Sequence, residues 1–172
     1  THRHSSAASD VYKRQDVIGQ MQFDLFHVYT VDEHTFKVVR NMRQMLLYKT
    51  KNLEFEHELI NKINKIEILY IAGIFHDLGK GKGGNHSKIG AKMSLNFAKR
   101  LGMSSTDSNL ISWLVEKHLM MSSISQKEDI TDPETIDKFT QNVGQAERLD
   151  YLYLLTVNDI RATNPNLWNG WK

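Results

Sequence analysis

The 172-residue sequence contains no cysteine and only two prolines. The absence of cysteine excludes disulfides, thiolate zinc sites and cysteine nucleophiles, and it is consistent with a reducing cytoplasm. Any metal must therefore be held by histidine and carboxylate side chains. The sequence also lacks a long apolar run, because the longest, Ile66 to Phe75, contains Glu67 and is about half the length that spans a bilayer. We therefore expect a cytoplasmic protein with no membrane partner.

The sequence has no marked excess of one charge, since 22 basic residues face 20 acidic residues and the formal net charge is +2. This balance gives no whole-chain argument for a nucleic acid partner, and we expect none. The length is that of a single domain, large enough to bury about two-thirds of its unfolded surface.

The first fifteen residues, THRHSSAASDVYKRQ, are polar and lack the apolar centre of a signal peptide. They also show no helical or strand periodicity. We interpret residues 1–15 as a non-native or disordered segment that resembles a translated cloning adapter. Residues 16–172 are then the folded domain, and the abrupt end NPNLWNGWK indicates a fragment of a longer multidomain protein.

Apolar residues recur at helical spacing along most of the remaining chain. The pattern predicts a capping box of Thr30 with Glu33, a helix from Ile66 to Leu78 stopped by Gly79, and a helix opened by Asp132-Pro133. The segment EFEHELINK is interpreted as a charged surface helix. Strand pairs and hairpin dipeptides are not convincing anywhere, so the sequence predicts an all-α, single-domain bundle of about six or seven helices.

Several ionisable residues fall on the apolar faces of these helices. His34, His118 and Asp159 continue three separate apolar stripes, and His76-Asp77 ends the helix that is apolar nearly all round. Any one of them alone is more often a hydrogen-bonded core residue or a helix cap. Together they are harder to explain as core residues, because each buried unpaired polar group costs several kcal/mol. A shared divalent cation removes that cost, and imidazoles with carboxylates suit Mn²⁺, Fe²⁺, Mg²⁺ or Zn²⁺.

A glycine- and lysine-rich loop, GKGKGGNH, follows the His76-Asp77 pair. Glycine lets backbone approach a ligand closely, and Lys80 and Lys82 offer positive charge to phosphate oxygens. The loop is not a Walker loop, because the GxxxxGK[ST] spacing is absent and no strand precedes it. Such a loop alone is more often a solvated turn, but its position beside a His-Asp pair favours a phosphate-binding role.

The ordered set of His34, His76-Asp77 and Asp159 resembles the signature of the HD superfamily of metal-dependent phosphohydrolases. Three longer stretches are similar to the HD domain of the bacterial bifunctional PII uridylyltransferase/uridylyl-removing enzymes: GQMQFDLFHVYTVDEHT, IAGIFHDLGKGKGGNHS and YLYLLTVNDIRATNPNLWNGWK. The resemblance covers roughly residues 16–172. It implies an HD-type helical fold and hydrolysis of the phosphodiester that joins UMP to a tyrosine of the PII signal protein in nitrogen regulation.

The resemblance also implies partners and residue roles. Uridylylated PII is the expected substrate, and the nucleotidyltransferase and ACT domains of such enzymes are expected to be missing from this chain. Mn²⁺ or Mg²⁺ is the expected metal, with iron or zinc as alternatives. The residues that match the metal-ligand pattern are His34, His76, Asp77 and Asp159, with His86 and His118 available for a second metal. The expected catalytic residues are Asp77, Lys80, His86 and His118, and the expected phosphate-binding residues are Lys80 and Lys82.

Within this scheme, His86 or His118 is expected to protonate the leaving tyrosine oxygen, since histidine titrates close to neutral pH. Two other hypotheses remain open at this point. An HD phosphohydrolase that acts on small nucleotides, such as a guanosine polyphosphate or a cyclic dinucleotide, would carry the same general pattern. A regulatory module that binds a nucleotide or a metal without hydrolysing anything is the alternative outside the enzymes.

Overall fold

The computed structural model describes residues 29–163, so the interpretation of residues 1–15 and of the end NPNLWNGWK concerns residues outside this range. Within it the chain forms eight helices and no β-strand. The helices are α1 (Val31–Leu47), α2 (Glu54–Lys62), α3 (Ile66–Phe75), α4 (His86–Arg100), α5 (Ser105–Lys117), α6 (Met120–Lys127), α7 (Pro133–Val143) and α8 (Ala146–Thr163). The all-α prediction is confirmed, and the short helix α6 is the one that the sequence pattern did not predict.

Helix α3 lies at the centre of the bundle. Its sequence is apolar on nearly every face, and it packs against α1, α4, α5 and α8. Ile68, Leu69 and Ala72 are completely or almost completely buried. A helix without a polar face is stable only when other helices surround it, which explains this central position.

None of the helices within residues 29–163 combines the length and the apolar character that crossing a bilayer requires.

Helix α3 ends at Phe75, three residues earlier than the predicted end at Leu78. The His76 side chain lies at this end, and its Nδ1 is 2.8 Å from the carbonyl oxygen of Gly73. In a continuing helix that carbonyl would accept the amide of Asp77. The imidazole competes with that amide for the carbonyl, and Asp77 lies in the first turn after the helix.

Two other helix starts differ from their predictions. Thr30 is the N-cap of α1, but its side chain makes no capping hydrogen bond, so the predicted capping box is not formed. The sequence pattern predicts Ser87 as the N-cap of α4, but this helix begins two residues earlier, because Asn85 is the N-cap and its side chain accepts the first-turn amide of Lys88 at 3.0 Å. The predicted start of α7 is confirmed, since the Asp132 carboxylate accepts an amide two residues on at 3.1 Å.

Helices α4 and α5 pack closely through small side chains. The sequence pattern predicts that α4 buries Ile89, Met93, Phe97 and Leu101, yet Leu101 is 59 % exposed and the other three are only half-buried. The fully buried positions of α4 are Ser87, Gly90, Ala91, Ser94 and Ala98. Small residues let two helices approach closely enough for the Ser112 hydroxyl of α5 to donate to the Ala91 carbonyl at 3.1 Å.

Helix α2 is joined to α8 by a buried polar pair. Glu56, in the segment interpreted as a surface helix, is only 6 % exposed, and its Oε1 accepts a hydrogen bond from the Tyr153 hydroxyl at 2.7 Å. Burial raises the pKa of Tyr153, and the hydrogen bond to Glu56 and its charge raise it further. The interpretation of this segment as wholly surface-exposed was therefore wrong at Glu56. The segment is too short for its helical periodicity to distinguish a buried carboxylate from an exposed one.

The Tyr153→Phe variant is expected to lower the free energy of unfolding by about 1 to 3 kcal/mol, because it leaves a buried carboxylate oxygen without its donor. Urea denaturation followed by circular dichroism measures the loss. Tyr48→Phe is the matched control, since Tyr48 is 65 % exposed. Equal losses in the two variants would contradict a stabilising role for the Tyr153–Glu56 hydrogen bond.

Candidate metal centre

Five helices or helix ends bring ionisable side chains to one place in the core. His34 comes from α1, Asp159 from α8, and the His76-Asp77 pair from the turn that follows α3. His86 is the first residue of α4, and His118 directly follows α5. His34, His76, Asp77 and His118 are buried, while His86 and Asp159 are partly exposed. Helical phase alone placed three of these side chains on inward faces, and the structure brings all six together.

The first ligand group consists of His34, His76, Asp77 and Asp159. The Nε2 atoms of His34 and His76 lie 3.2 Å apart. Asp159 Oδ1 is 2.9 Å from His34 Nε2 and 3.7 Å from His76 Nε2. Asp77 Oδ2 is 3.8 Å and 3.5 Å from the same two nitrogens. Two imidazole nitrogens and the Asp77 carboxylate therefore form a group of candidate ligand atoms that could hold one cation, and the Asp159 carboxylate lies beside both nitrogens.

The second ligand group consists of Asp77, His86 and His118. It uses the other carboxylate oxygen of Asp77, because Oδ1 lies 4.0 Å from His86 Nε2 and 3.8 Å from His118 Nε2. Within each group, the candidate ligand atoms of His34, His76 and Asp77, or of Asp77, His86 and His118, lie within 4.8 Å of one another. Asp77 is common to both groups, so one carboxylate can bridge two neighbouring cations.

Backbone carbonyls orient two of the histidines. His76 Nδ1 lies 2.8 Å from the Gly73 carbonyl oxygen, and His118 Nδ1 lies 2.8 Å from the Val115 carbonyl oxygen. An N–H at Nδ1 that donates to such a carbonyl leaves the lone pair on Nε2, the atom that faces Asp77. The sequence reasoning did not include these carbonyls. The sequence does contain an indication of these contacts. Each histidine lies three residues after a residue in the last turn of a helix, where backbone carbonyls have no partner within the helix.

Two buried nitrogens test whether the residues fit a metal. Nε2 of His86 and Nε2 of His118 are shielded from solvent and have no hydrogen-bond partner among the described residues. An orphaned buried nitrogen is unfavourable unless a further group satisfies it. A divalent cation that shares Asp77 would accept both lone pairs at once. The donor set therefore fits a metal.

The two carboxylates of the site remain ionised. Burial opposes the charge of Asp77, but the neighbouring His76, Lys80 and His118 outweigh it and hold the pKa of Asp77 well below its usual range. Burial likewise opposes the charge of Asp159, yet its hydrogen bond with His34 and the nearby His76 lower the pKa of Asp159. Both carboxylates thus keep the negative charge that a cation requires.

The histidines divide into two kinds. Burial lowers the pKa of His34, but the hydrogen bond to Asp159 and the charges of Asp159 and Asp77 outweigh it and raise this pKa above its ordinary value. Burial lowers the pKa of His118 to about 4, helped by the adjacent His76. Burial also lowers the pKa of His86. His86 and His118 are therefore neutral near pH 7, as metal binding requires.

The loop residue Lys80 contacts the ligand cluster. Lys80 Nζ donates to Asp77 Oδ2 at 2.8 Å, and its side chain is 23 % exposed. An ammonium group at this place adds positive charge at the edge of the metal centre. Lys82 lies in the same loop with a half-buried side chain, and its phosphate-binding role stays a prediction.

Adding Mn²⁺ to metal-free protein is expected to raise the melting temperature, because a ligand that binds only the folded state stabilises it. At a free concentration of about 100 times the dissociation constant, the gain is about 2.7 kcal/mol. Differential scanning calorimetry with and without a chelator measures the shift. A melting temperature that does not respond to Mn²⁺, Mg²⁺, Fe²⁺ or Zn²⁺ would contradict the metal centre.

Comparison with known proteins identifies a matching family and relatives of this chain. The family model described as HD domain matches residues 31–154. A bifunctional uridylyltransferase/uridylyl-removing enzyme from Nitrosococcus oceani is 53 % identical over 157 residues, which are 91 % of this chain and 18 % of the relative. The enzyme of the same name from Idiomarina loihiensis is 50 % identical over 177 residues, covering 99 % of this chain and 20 % of the relative. The chain therefore spans about a fifth of the length of the curated relatives it matches.

Proposed function

The chain belongs to the HD domain family, and we propose that it is a metal-dependent phosphohydrolase domain that removes UMP from the uridylylated PII signal protein. The single observation that carries the proposal is the position of Asp77. Its two carboxylate oxygens face two histidine-containing groups, and its side chain also contacts the ammonium group of Lys80. Phosphodiester hydrolysis needs this combination of cation ligands and positive charge.

We assign the first cation to His34, His76, Asp77 and Asp159, and a second to Asp77, His86 and His118. A bound divalent cation supplies Lewis acidity toward phosphoryl oxygens and lowers the pKa of water toward neutrality. The mixed donor set disfavours Mg²⁺, because Mg²⁺ prefers oxygen ligands, whereas imidazole suits iron and zinc; Mn²⁺ is the expected metal from the family resemblance. Iron and zinc remain the alternatives that metal analysis would identify.

The proposed reaction is hydrolysis of the bond between phosphorus and the tyrosine oxygen of the substrate protein. A water oxygen forms a bond to phosphorus, the bond to the tyrosine oxygen breaks, and UMP and the free tyrosine are the products. Lys80 neutralises charge that develops on the phosphoryl oxygens, which is where a fixed positive charge lowers the barrier most. Lys82 is proposed to hold the phosphate from the same loop.

The leaving tyrosine oxygen must gain a proton, and we propose that a water molecule supplies it. His86 and His118, the two donors predicted from the sequence, are assigned here as ligands of the second cation, which would take up the Nε2 lone pair of each. Burial lowers the pKa of both histidines, and this favours a neutral ligand over an acid.

The choice of substrate rests on the relatives. Their printed name includes a uridylyl-removing activity, and the identity of about half of the aligned residues extends over nearly the whole chain. We propose that this chain shares that activity and acts beside nucleotidyltransferase and ACT domains of a longer enzyme. The partners of the whole protein are part of this proposal.

A substrate panel tests the proposal. The purified chain, loaded with Mn²⁺, is incubated with uridylylated PII, a guanosine polyphosphate and a cyclic dinucleotide, and the products are separated by chromatography. We expect release of UMP from PII at least about tenfold faster than turnover of either nucleotide. Preferential hydrolysis of a nucleotide would contradict the assigned substrate, and metal binding without any turnover would favour a regulatory module.

A further inference from the structure

The glycines around the metal centre serve two different purposes. Gly83 and Gly84 have positive φ values of 72° and 83°, and a Cβ atom added to either would meet nothing within 4 Å. They allow the chain to turn. Gly79 and Gly90 have no positive φ, yet a Cβ atom added to either would collide with backbone. At these two positions glycine provides space, and the neighbour that uses this space is the protein's own backbone.

Gly79 lies against the first turn of α4. An added Cβ atom would overlap the carbonyl oxygen of His86, and it would lie 2.9 Å from the carbonyl carbon of His86 and 3.0 Å from the amide nitrogen of Gly90. Real Cβ atoms do not approach backbone so closely. Any side chain at position 79 would therefore push the loop and the start of α4 apart.

Gly90 lies against the end of α3. An added Cβ atom would be 2.8 Å from the carbonyl oxygen of Phe75, 3.7 Å from that of His76 and 3.1 Å from Cγ1 of Val115. Val115 is the residue whose carbonyl orients His118. A side chain at position 90 would therefore displace α4 from the α3 end and from the last turn of α5.

The three segments that meet at these glycines carry the whole second ligand group: Asp77 follows α3, His86 begins α4 and His118 follows α5. No described hydrogen bond holds Nε2 of His86, and the His86 side chain is partly exposed. Its distance of 4.0 Å from Asp77 Oδ1 is thus set by the backbone positions of α4 and the loop. The first ligand group shares Asp77 and takes His76 from the same end of α3, but its other two members, His34 and Asp159, come from α1 and α8, which supply none of the three atoms nearest to an added Cβ at either glycine.

We infer that Gly79 and Gly90 are positioning residues for the second cation, an inference that rests on the metal centre of the proposed function. They hold His86 at the distance where it and His118 share one ion with Asp77. A change that moves the supports of a ligand costs about ten- to a hundredfold in metal affinity. The cost falls mainly on the second cation, because His86 and His118 belong to the second ligand group alone, whereas two of the four members of the first group come from α1 and α8.

The test compares Gly90→Ala with the unmodified protein by equilibrium dialysis against Mn²⁺ and by electron paramagnetic resonance. The unmodified protein is expected to bind two ions with a spin-coupled spectrum. Gly90→Ala is expected to bind the second ion about ten- to a hundredfold more weakly and to show the uncoupled spectrum of a single ion. Gly79→Ala is expected to behave in the same way. Gly102→Ala is the control for backbone strain away from the site, because Gly102 follows the other end of α4 and has open space around it but a positive φ of 78°, at which a side chain is strained; this variant should keep both ions.

Each other outcome overturns the inference. Two tightly bound, coupled ions in Gly90→Ala would show that the glycine does not position His86. Loss of both ions and of the helical circular dichroism signal in Gly90→Ala would show that Gly90 serves the fold as a whole. An unmodified protein that binds one ion would remove the second site while leaving the proposed hydrolysis intact, whereas one that binds no metal would overturn the proposed function itself.

Discussion

Asp77→Asn is expected to reduce the release of UMP from uridylylated PII by about a thousandfold or more. The substitution keeps the shape of the side chain but removes the charge that both ligand groups share. Metal assistance supplies several kcal/mol of transition-state stabilisation, and each 1.36 kcal/mol is a factor of ten in rate. Single-turnover release of labelled UMP at saturating Mn²⁺ measures the effect.

The matched control for this variant is Asp137→Asn, because Asp137 is an exposed carboxylate on α7. It should retain full activity and both metal ions. Circular dichroism of Asp77→Asn should remain close to that of the unmodified protein, since α3 and the helices around it do not depend on a charge at position 77. Undiminished hydrolysis by Asp77→Asn would contradict the assignment of the metal centre.

Lys80→Ala is expected to reduce the rate of UMP release by about a hundredfold while leaving metal binding in place. Removal of one preorganised donor to a developing phosphoryl charge costs about that much. The ammonium group contacts Asp77 from the edge of the cluster and is no metal ligand, so dialysis against Mn²⁺ should return the same number of ions. A lower rate with unchanged metal binding would distinguish the role of Lys80 from that of the metal ligands.

Lys82→Ala provides the comparison, because Lys82 lies in the same loop and was predicted from the sequence to bind the phosphate. Lys80 Nζ donates to Asp77 Oδ2 at 2.8 Å, so we expect the Lys80 variant to lose kcat, whereas loss of a phosphate-binding group at Lys82 is expected to raise mainly KM. Equal losses of kcat in the two variants would show that both lysines act on the transition state. Loss of metal from Lys80→Ala would contradict its separate role.

The sequence predicted the inward faces of the site better than the ends of its helices. Helical periodicity correctly placed His34, His118 and Asp159 on the inward faces of their helices. Each of these residues lies inside or next to a long helix with a clear apolar stripe. The end of α3 could not be predicted in this way. The His76 ring contacts a backbone carbonyl at this end, and such a contact is not visible in the hydrophobic pattern.

Side-chain size limited the prediction at the α4–α5 interface. The apolar stripe of α4 pointed to its large residues, but the closest packing uses Gly90, Ala91 and Ala98. Hydrophobicity scales give small residues little weight, although two helices can approach closely only through them. The glycines of the loop were likewise expected to make room for a ligand, whereas Gly79 makes room for the backbone of α4.

The sharing of Asp77 was also beyond reach of the sequence. A list of ligands does not show which carboxylate faces both histidine groups, because this depends on the turn after α3 and on the first residue of α4 together. Nor did it show that burial lowers the pKa of both His86 and His118, since burial is known only from the three-dimensional structure. These are the features on which the proposed mechanism depends most.

The central claim is that a divalent cation held by this cluster is required for phosphodiester hydrolysis, and one titration tests it most directly. Metal-free protein receives increasing Mn²⁺, and bound metal and UMP release from uridylylated PII are measured in the same samples. We expect no UMP release without metal and UMP release that rises with the occupancy of the cluster. Adding a chelator is expected to abolish UMP release. UMP release that persists in the metal-free protein, or a fully occupied cluster that releases no UMP, would contradict it.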